Sequence, residues 1–211
     1  MRKLRTILYG LGFLMLAAAL MLTVWNIRTD QEAGESAKEV LEELEISMQD
    51  ENPVKEDSEQ PTIQLEPQVQ IPDHLLNPDM DMPVKNVDGK EYVGIITMHQ
   101  LGIELPVMSD WSYSKLKQAP CLYSGSVYQD NLVIMAHNYR SQLGRIRRLT
   151  TGSQITFTDM DGNVFAYLVA AIEVLDPLEV ENVTNGEWDL TLFTCTLGGE
   201  SRVVVRCEKE S

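Results

Sequence analysis

From about residue 91 to residue 209, apolar and polar positions alternate in short runs separated by turn signals. YVGIITM and GIELPVM, split by HQLG, read as a hairpin, and NLVIMA reads as a buried strand. QITFTDMDGNVFAYLVAAIEVL reads as two strands folded about Asp161-Gly162, and DLTLFTC with RVVVRCE as a last pair about Gly198-Gly199. Only SYSKLK (residues 112–117) and SQLGRIRRL (residues 141–149) suggest short helices. Roughly eight short strands with few helices predict an all-β barrel or sandwich over residues 91–211.

The N-terminal pattern is different. ILYGLGFLMLAAALMLTVW, residues 7–25, carries no charge. At about 1.5 Å per residue it extends roughly 28 Å, close to the thickness of a bilayer's hydrocarbon core. Arg2, Lys3 and Arg5 precede it, so the positive-inside rule places the N-terminus in the cytoplasm and the remainder outside. Ala17 and Ala19 imitate a signal-peptide cleavage site, but the apolar run continues past them, which favours an uncleaved anchor over residues 1–29.

Residues 30–90 read as an acidic, Pro-rich stalk. SAKEVLEELEISMQ spaces Val40, Leu41, Leu44 and Ile46 at roughly helical intervals, so a short helix is expected there. Prolines 53, 61, 67, 72, 78 and 83 then follow without an apolar period, which predicts a largely disordered segment. Such a stalk would lift a domain off a membrane; it could also fold partly onto the domain, and the pattern leaves both open.

The formal charge of −15 sits mainly in that segment. Residues 31–90 hold sixteen acidic side chains and four lysines (−12), residues 1–30 contribute +3, and the rest −6. No basic patch of nucleic-acid-binding size is present apart from the short Arg145, Arg147, Arg148 cluster. No nucleic-acid partner is expected.

Three cysteines, Cys121, Cys195 and Cys207, cannot all pair within one chain. Cys207 alternates with Val203 and Val205, as a buried thiol would; Cys121 and Cys207 are expected to be free or paired with each other. Cys195 stands at a strand end, His137 closes NLVIMAH, and Arg202 opens the last strand. Chemically these three suffice for acyl transfer. A thiol is a good nucleophile once deprotonated, an imidazole exchanges the proton, and a guanidinium can stabilise an oxyanion. The alternative is a core histidine and an exposed arginine with no chemistry.

Thr-Leu-Phe-Thr-Cys (residues 191–195) with an arginine shortly after resembles the sortase signature TLxTC followed by Arg. Met135-Ala136-His137 is similar to the family's strand ending in Ala-Gly-His, and LGRIRRLTTGSQITF to its next helix, turn and strand. Ala136 stands for the usual glycine and Ser153 for the usual aspartate. The resemblance implies an eight-stranded sortase-like β-barrel with short helices, after an N-terminal transmembrane helix and disordered stalk. It further implies a membrane-anchored Gram-positive cysteine transpeptidase with an extracytoplasmic domain. Cys195 would be the nucleophile, His137 the general acid and base, Arg202 the oxyanion donor, and Thr194 a substrate contact. Substrates would be surface proteins with a C-terminal sorting motif, and the acceptor an amine of peptidoglycan precursor or pilin.

Arg206 shares a strand face with Arg202 and is the rival donor; the turn favours Arg202, so Arg206→Lys is expected to be nearly silent. The chain shows no second apolar span, which points away from a pilus-type member. No cofactor is expected. Some relatives bind calcium, and Glu173, Asp176, Glu179 and Glu181 are the candidate ligands, with solvated surface charge the simpler reading. The competing functions are a non-catalytic tethered binding module and an L,D-transpeptidase-like enzyme, whose Ser-x-Gly-Cys motif is absent here.

Overall fold

The computed structural model of the chain describes residues 2–50, 72–184 and 187–210. Among these residues nine strands form one sheet: β1 (Lys85–Val87), β2 (Lys90–Met98), β3 (Ile103–Met108), β4 (Cys121–Ser124), β5 (Leu132–Ala136), β6 (Gln154–Asp159), β7 (Val164–Leu175), β8 (Leu190–Cys195) and β9 (Arg202–Lys209). Their order is β1-β2-β3-β4-β5-β8-β9-β7-β6, and β6 pairs back onto β2. β2 to β9 therefore close an eight-stranded barrel, with β1 a short edge addition on β2. Closure brings β2 and β6 so near at Gly94 that a Cβ there would lie 2.3 Å from the Phe157 ring. A glycine makes that crossing possible.

The alternation seen in the sequence becomes burial. Ile96, Ile134, Phe157, Tyr167, Leu192 and Val205 belong to one core inside the barrel. Hairpin β2–β3, strand β5, hairpin β6–β7 and the final pair lie where their patterns predicted them. Strand β4 was not anticipated, because four residues ending in a serine carry too short a period. The short helical segments are α3 (Tyr113–Leu116) and a 3₁₀ turn, Leu143–Arg148.

The helix expected at residues 36–49 is present, longer than its pattern suggested, and it packs on the barrel, one of the two options left open for the stalk. Helix α1 (Arg2–Asp50) runs unbroken from the apolar segment through residues 30–50. Ala33, Ala37, Val40, Leu41 and Leu44 are buried. Their spacing is a full amphipathic stripe, and Leu41 and Leu44 pack in a second cluster with Tyr92, Ile95 and Met108. Val40, Leu41 and Leu44 were legible as helically spaced, whereas Ala33 and Ala37 were not, because alanines give little hydrophobic contrast. Residues 72–90 hold α2 (Asp73–Leu76) and β1, and His74 stacks on Tyr128 at 4.8 Å. The rest of the expected stalk, residues 51–71, lies outside the described residues. The domain start expected at Glu91 falls inside β2.

Candidate active site

β5 and β8 run parallel, with Ala136 opposite Thr194. The next residues along the two strands, His137 and Cys195, therefore emerge side by side at one end of the barrel. β9 returns antiparallel to β8 and places Arg202 directly opposite Cys195. The connecting turn is fixed by Gly199 N–H donating to Thr196 O at 2.9 Å and Ser201 N–H donating to Thr196 Oγ1 at 3.1 Å. Gly198 and Gly199 have φ of 100° and 78°, which side chains resist. Three residues distant in sequence thus line one cleft of about 250 Å³, with Thr194 in the same wall.

Thr194 is buried, and its hydroxyl donates to Ala136 O at 2.9 Å. This bond ties β8 to β5 immediately before the histidine. The hydroxyl is thereby engaged with the scaffold, while the residue still lines the cleft.

His137 is held from several directions. Its backbone N–H donates to Gln142 Oε1 at 3.0 Å, and Gln142, fully buried, donates through Nε2 to Leu116 O at 3.2 Å. Its ring stacks on Tyr139 at 4.9 Å. One step further, Asp30 of α1 accepts from the Arg140 N–H at 3.2 Å and the Ser141 N–H at 2.9 Å. Burial, with the Lys117 charge adding to it, pushes the imidazole below its ordinary value and favours the neutral ring.

Cys195 is the partly exposed cysteine; Cys121 and Cys207 are buried, and all three thiols are free. Burial first, and for Cys121 nearby Asp110 as well, pushes both buried thiols up to about 12. Neither can supply thiolate near neutral pH. Cys207 faces Leu190 across the sheet, far out of register with Cys195, as the hairpin reading required.

Arg202 donates through Nη1 to Gly199 O at 3.1 Å and Ser201 O at 3.2 Å, which ties its guanidinium to the hairpin turn while the residue lines the cleft. Arg206 has another task. It is 4% exposed and donates through Nη1 to Val183 O at 3.0 Å and Thr191 Oγ1 at 3.2 Å, and through Nη2 to Asn182 O. Its Nε contacts Glu173 Oε2 at 3.3 Å. It therefore pins α4 (Val180–Thr184) to the barrel. Val183 lines the cleft and packs with Phe193 and Val204, so Arg206 holds a wall of the site.

On the other side, Trp111 stacks on Tyr123 at 5.8 Å, and Tyr123 meets Phe193 edge-on at 5.3 Å. This aromatic ladder gives the cleft an apolar wall. Gln142, Trp111 and Asp30 were not singled out in the sequence, and Arg206 only as a rival donor; a buried glutamine or arginine carries no local signal of its partners. Of the calcium candidates, Glu173 is engaged by Arg206. Among the described residues no cluster of three His, Cys, Asp or Glu side chains is placed to hold a metal ion.

A closed eight-stranded barrel with cysteine, histidine and arginine converging at one end defines a class of thiol acyl-transfer scaffold. A sequence profile of the Sortase domain matches residues 96–210, and the chain belongs to the sortase family, a family of cysteine transpeptidases. Sortase A from Corynebacterium diphtheriae is similar in fold, with 20% identity and a TM-score of 0.53 over 58% of this chain and 62% of that one. This chain therefore spans less than two thirds of that relative. A Clostridium perfringens Sortase D5 transpeptidase gives 20% identity and 0.51 over 57% and 79% of the two chains. Sortase C of Clostridium perfringens, solved with the C-terminal cell wall sorting motif, gives 24% and 0.50 over 57% and 71%. No curated protein matches the sequence.

Proposed function

We propose that this chain is a membrane-anchored cysteine transpeptidase that cleaves a C-terminal sorting motif of surface proteins and passes the acyl group to an amine. The observation that carries this reading is the direct pairing of Cys195 with Arg202 beside His137, in one cleft. Family membership and the solved relative bearing a cell wall sorting motif support the substrate class. The anchor is the apolar part of α1, which lies within the one described helix, Ile7–Met48, long and apolar enough to cross a membrane. Residues 1–29 serve as tip and anchor, and the barrel from about residue 91 as the enzyme, outside the membrane.

In acylation the neutral His137 takes the Cys195 proton as sulfur attacks the scissile carbonyl. The tetrahedral oxyanion is met by the Arg202 guanidinium, released from the turn carbonyls for that purpose. A donor of this kind is worth about 3–4 kcal/mol of barrier. His137 then protonates the departing amine, the C–N bond breaks and the thioester remains. An amine of peptidoglycan precursor or pilin attacks the thioester, passes its proton to the imidazole and releases the thiol. Thr194 keeps the nucleophile strand in register with the histidine strand and borders the bound peptide.

The test is single-turnover acylation with a sorting-type peptide, read by intact mass. Cys195→Ala should abolish the adduct. His137→Ala should slow it by about 10²–10⁴-fold, the usual range for lost acid–base catalysis. Arg202→Lys should also be severe, since an ammonium cannot reproduce the planar donor fork. Adduct formation at a residue other than Cys195 would overturn the assignment. A wild-type cleft that binds peptide without acylation would instead indicate a tethered binding module.

A further inference from the structure

Strand directions decide which end of the barrel faces the anchor. β5 and β8 run toward the end presenting His137 and Cys195, and β9 starts from it. Antiparallel pairing from β9 to β7, β6 and β2 carries that direction round, so β2 ends and β3 begins at the same end. Helix α1 descends along β3. Ile27 and Asp30 share a groove with Gly102, Ile103 and Arg140, whereas Ser47, further down, accepts from Lys85 Nζ at the start of β1. The apolar residues 7–25 therefore leave the barrel on the side of the candidate site. Asp30, bonded to the loop after His137, is only five residues, or about 8 Å of helix, from Trp25.

One connection at that end is basic on an otherwise acidic chain. Arg140, Arg145, Arg147 and Arg148 lie in the connection from β5 to β6, and no Asp or Glu occurs between residues 131 and 158. Arg140, Arg147 and Arg148 are exposed, as is Arg28, three residues beyond Trp25. Arg145 is turned toward the β2–β3 connection and donates to Leu101 O at 3.4 Å. Of the acidic groups at this end, Asp30 serves the loop backbone and Glu104 the Thr97 hydroxyl, Glu32 and Glu35 are exposed on α1, and Asp176, Glu179 and Glu200 are exposed on the loops after β7 and β8. Leu178 and Leu197, 89% and 94% exposed, lie on the loops that crown this end.

We propose that the barrel rests site-first on the bilayer surface, with Arg28, Arg140, Arg147 and Arg148 gripping the headgroups of anionic phospholipids. The proposal rests on the anchor reading of α1. Arginine suits this role because its planar fork pairs with a phosphate through two hydrogen bonds. The attraction acts within a Debye length of roughly 8–10 Å, which the short helical link satisfies. A stalk would have held the site far from lipid; the docked helix instead keeps Cys195 close to the bilayer surface.

Hydrogen exchange of the full chain in nanodiscs tests this, comparing phosphatidylcholine alone with a phosphatidylglycerol mixture. Anionic lipid should slow exchange several-fold across residues 138–153, and high salt should reverse it. A combined Arg140→Gln, Arg147→Gln, Arg148→Gln variant should lose the lipid dependence while melting at the wild-type temperature. Residues 124–131 and 160–163, at the opposite end, should not respond. A chain that enters nanodiscs but exchanges identically in both lipids overturns the lipid contact alone. Lipid-dependent protection that survives in the triple variant removes the arginines from the account. Protection at the opposite end reverses the orientation. A chain that stays out of nanodiscs overturns the anchor reading together with this one.

Discussion

Replacing Arg206 by lysine tests whether the wall of the cleft depends on one buried guanidinium. The native side chain serves four acceptors: Val183 O, Asn182 O, Thr191 Oγ1 and Glu173 Oε2. A lysine brings a single nitrogen on a flexible stem, so about half of these contacts are lost. Glu173 is 44% exposed, so its ion pair is screened and contributes little, about 0–1 kcal/mol. The main loss is one or two charge-assisted bonds to buried acceptors, about 2–4 kcal/mol in total. For a domain of this size that is a drop in Tm of roughly 6–12 °C. The local consequence is functional: residues 176–184 loosen, and Val183 withdraws from Phe193 at the cleft wall. Circular-dichroism melting gives the first quantity. The second is a comparison at Cys195 between alkylation by a small thiol reagent, expected to change little, and acylation by a peptide, expected to slow. Unchanged melting together with unchanged peptide acylation would refute the reasoning and restore Arg206 to an ordinary strand position. Equal loss in both reactions would mean that Arg206 acts on the nucleophile itself.

Two further outcomes follow from the packing. The His137 ring should titrate by NMR below 6.5, the ordinary value, because burial disfavours its charged form, and Lys117→Gln should raise it only part of the way since burial leads. With the folded pKa depressed, this group favours the fold above the ordinary value, and that contribution fades as pH falls toward the folded one; a midpoint above 6.5 would instead indicate a charged imidazole paired with thiolate. A chain beginning at Glu91 should melt well below one that retains α1 from Asn26, since losing the burial of Val40, Leu41 and Leu44 costs roughly 1.5–3 kcal/mol for each; equal melting would show that α1 is only a tether.

Several features of this protein were legible without coordinates because they are local. Alternation of period two marked most of the strands, Gly198-Gly199 marked the turn, and the uncharged run of residues 7–25 marked the apolar helix. Cys195 and Arg202 were also readable as neighbours, since a tight hairpin converts sequence distance into register. His137 was legible as the histidine closing a strand, but its place beside Cys195 came only through a family motif, because the parallel pairing of β5 and β8 joins segments 58 residues apart and leaves no local trace. The tertiary structure alone decided three things. It turned residues 33–44 from expected stalk into a docked face, because two alanines bury well without looking hydrophobic. It made Arg206 a strut, because its carbonyl partners come from a loop in a different part of the chain. It also set the apolar residues 7–25 on the same side as the candidate site, because strand direction around a closed barrel depends on every pairing at once. Local preference writes the elements into the sequence; which ends meet is a property of the closed sheet, and it appears only when the whole chain is folded.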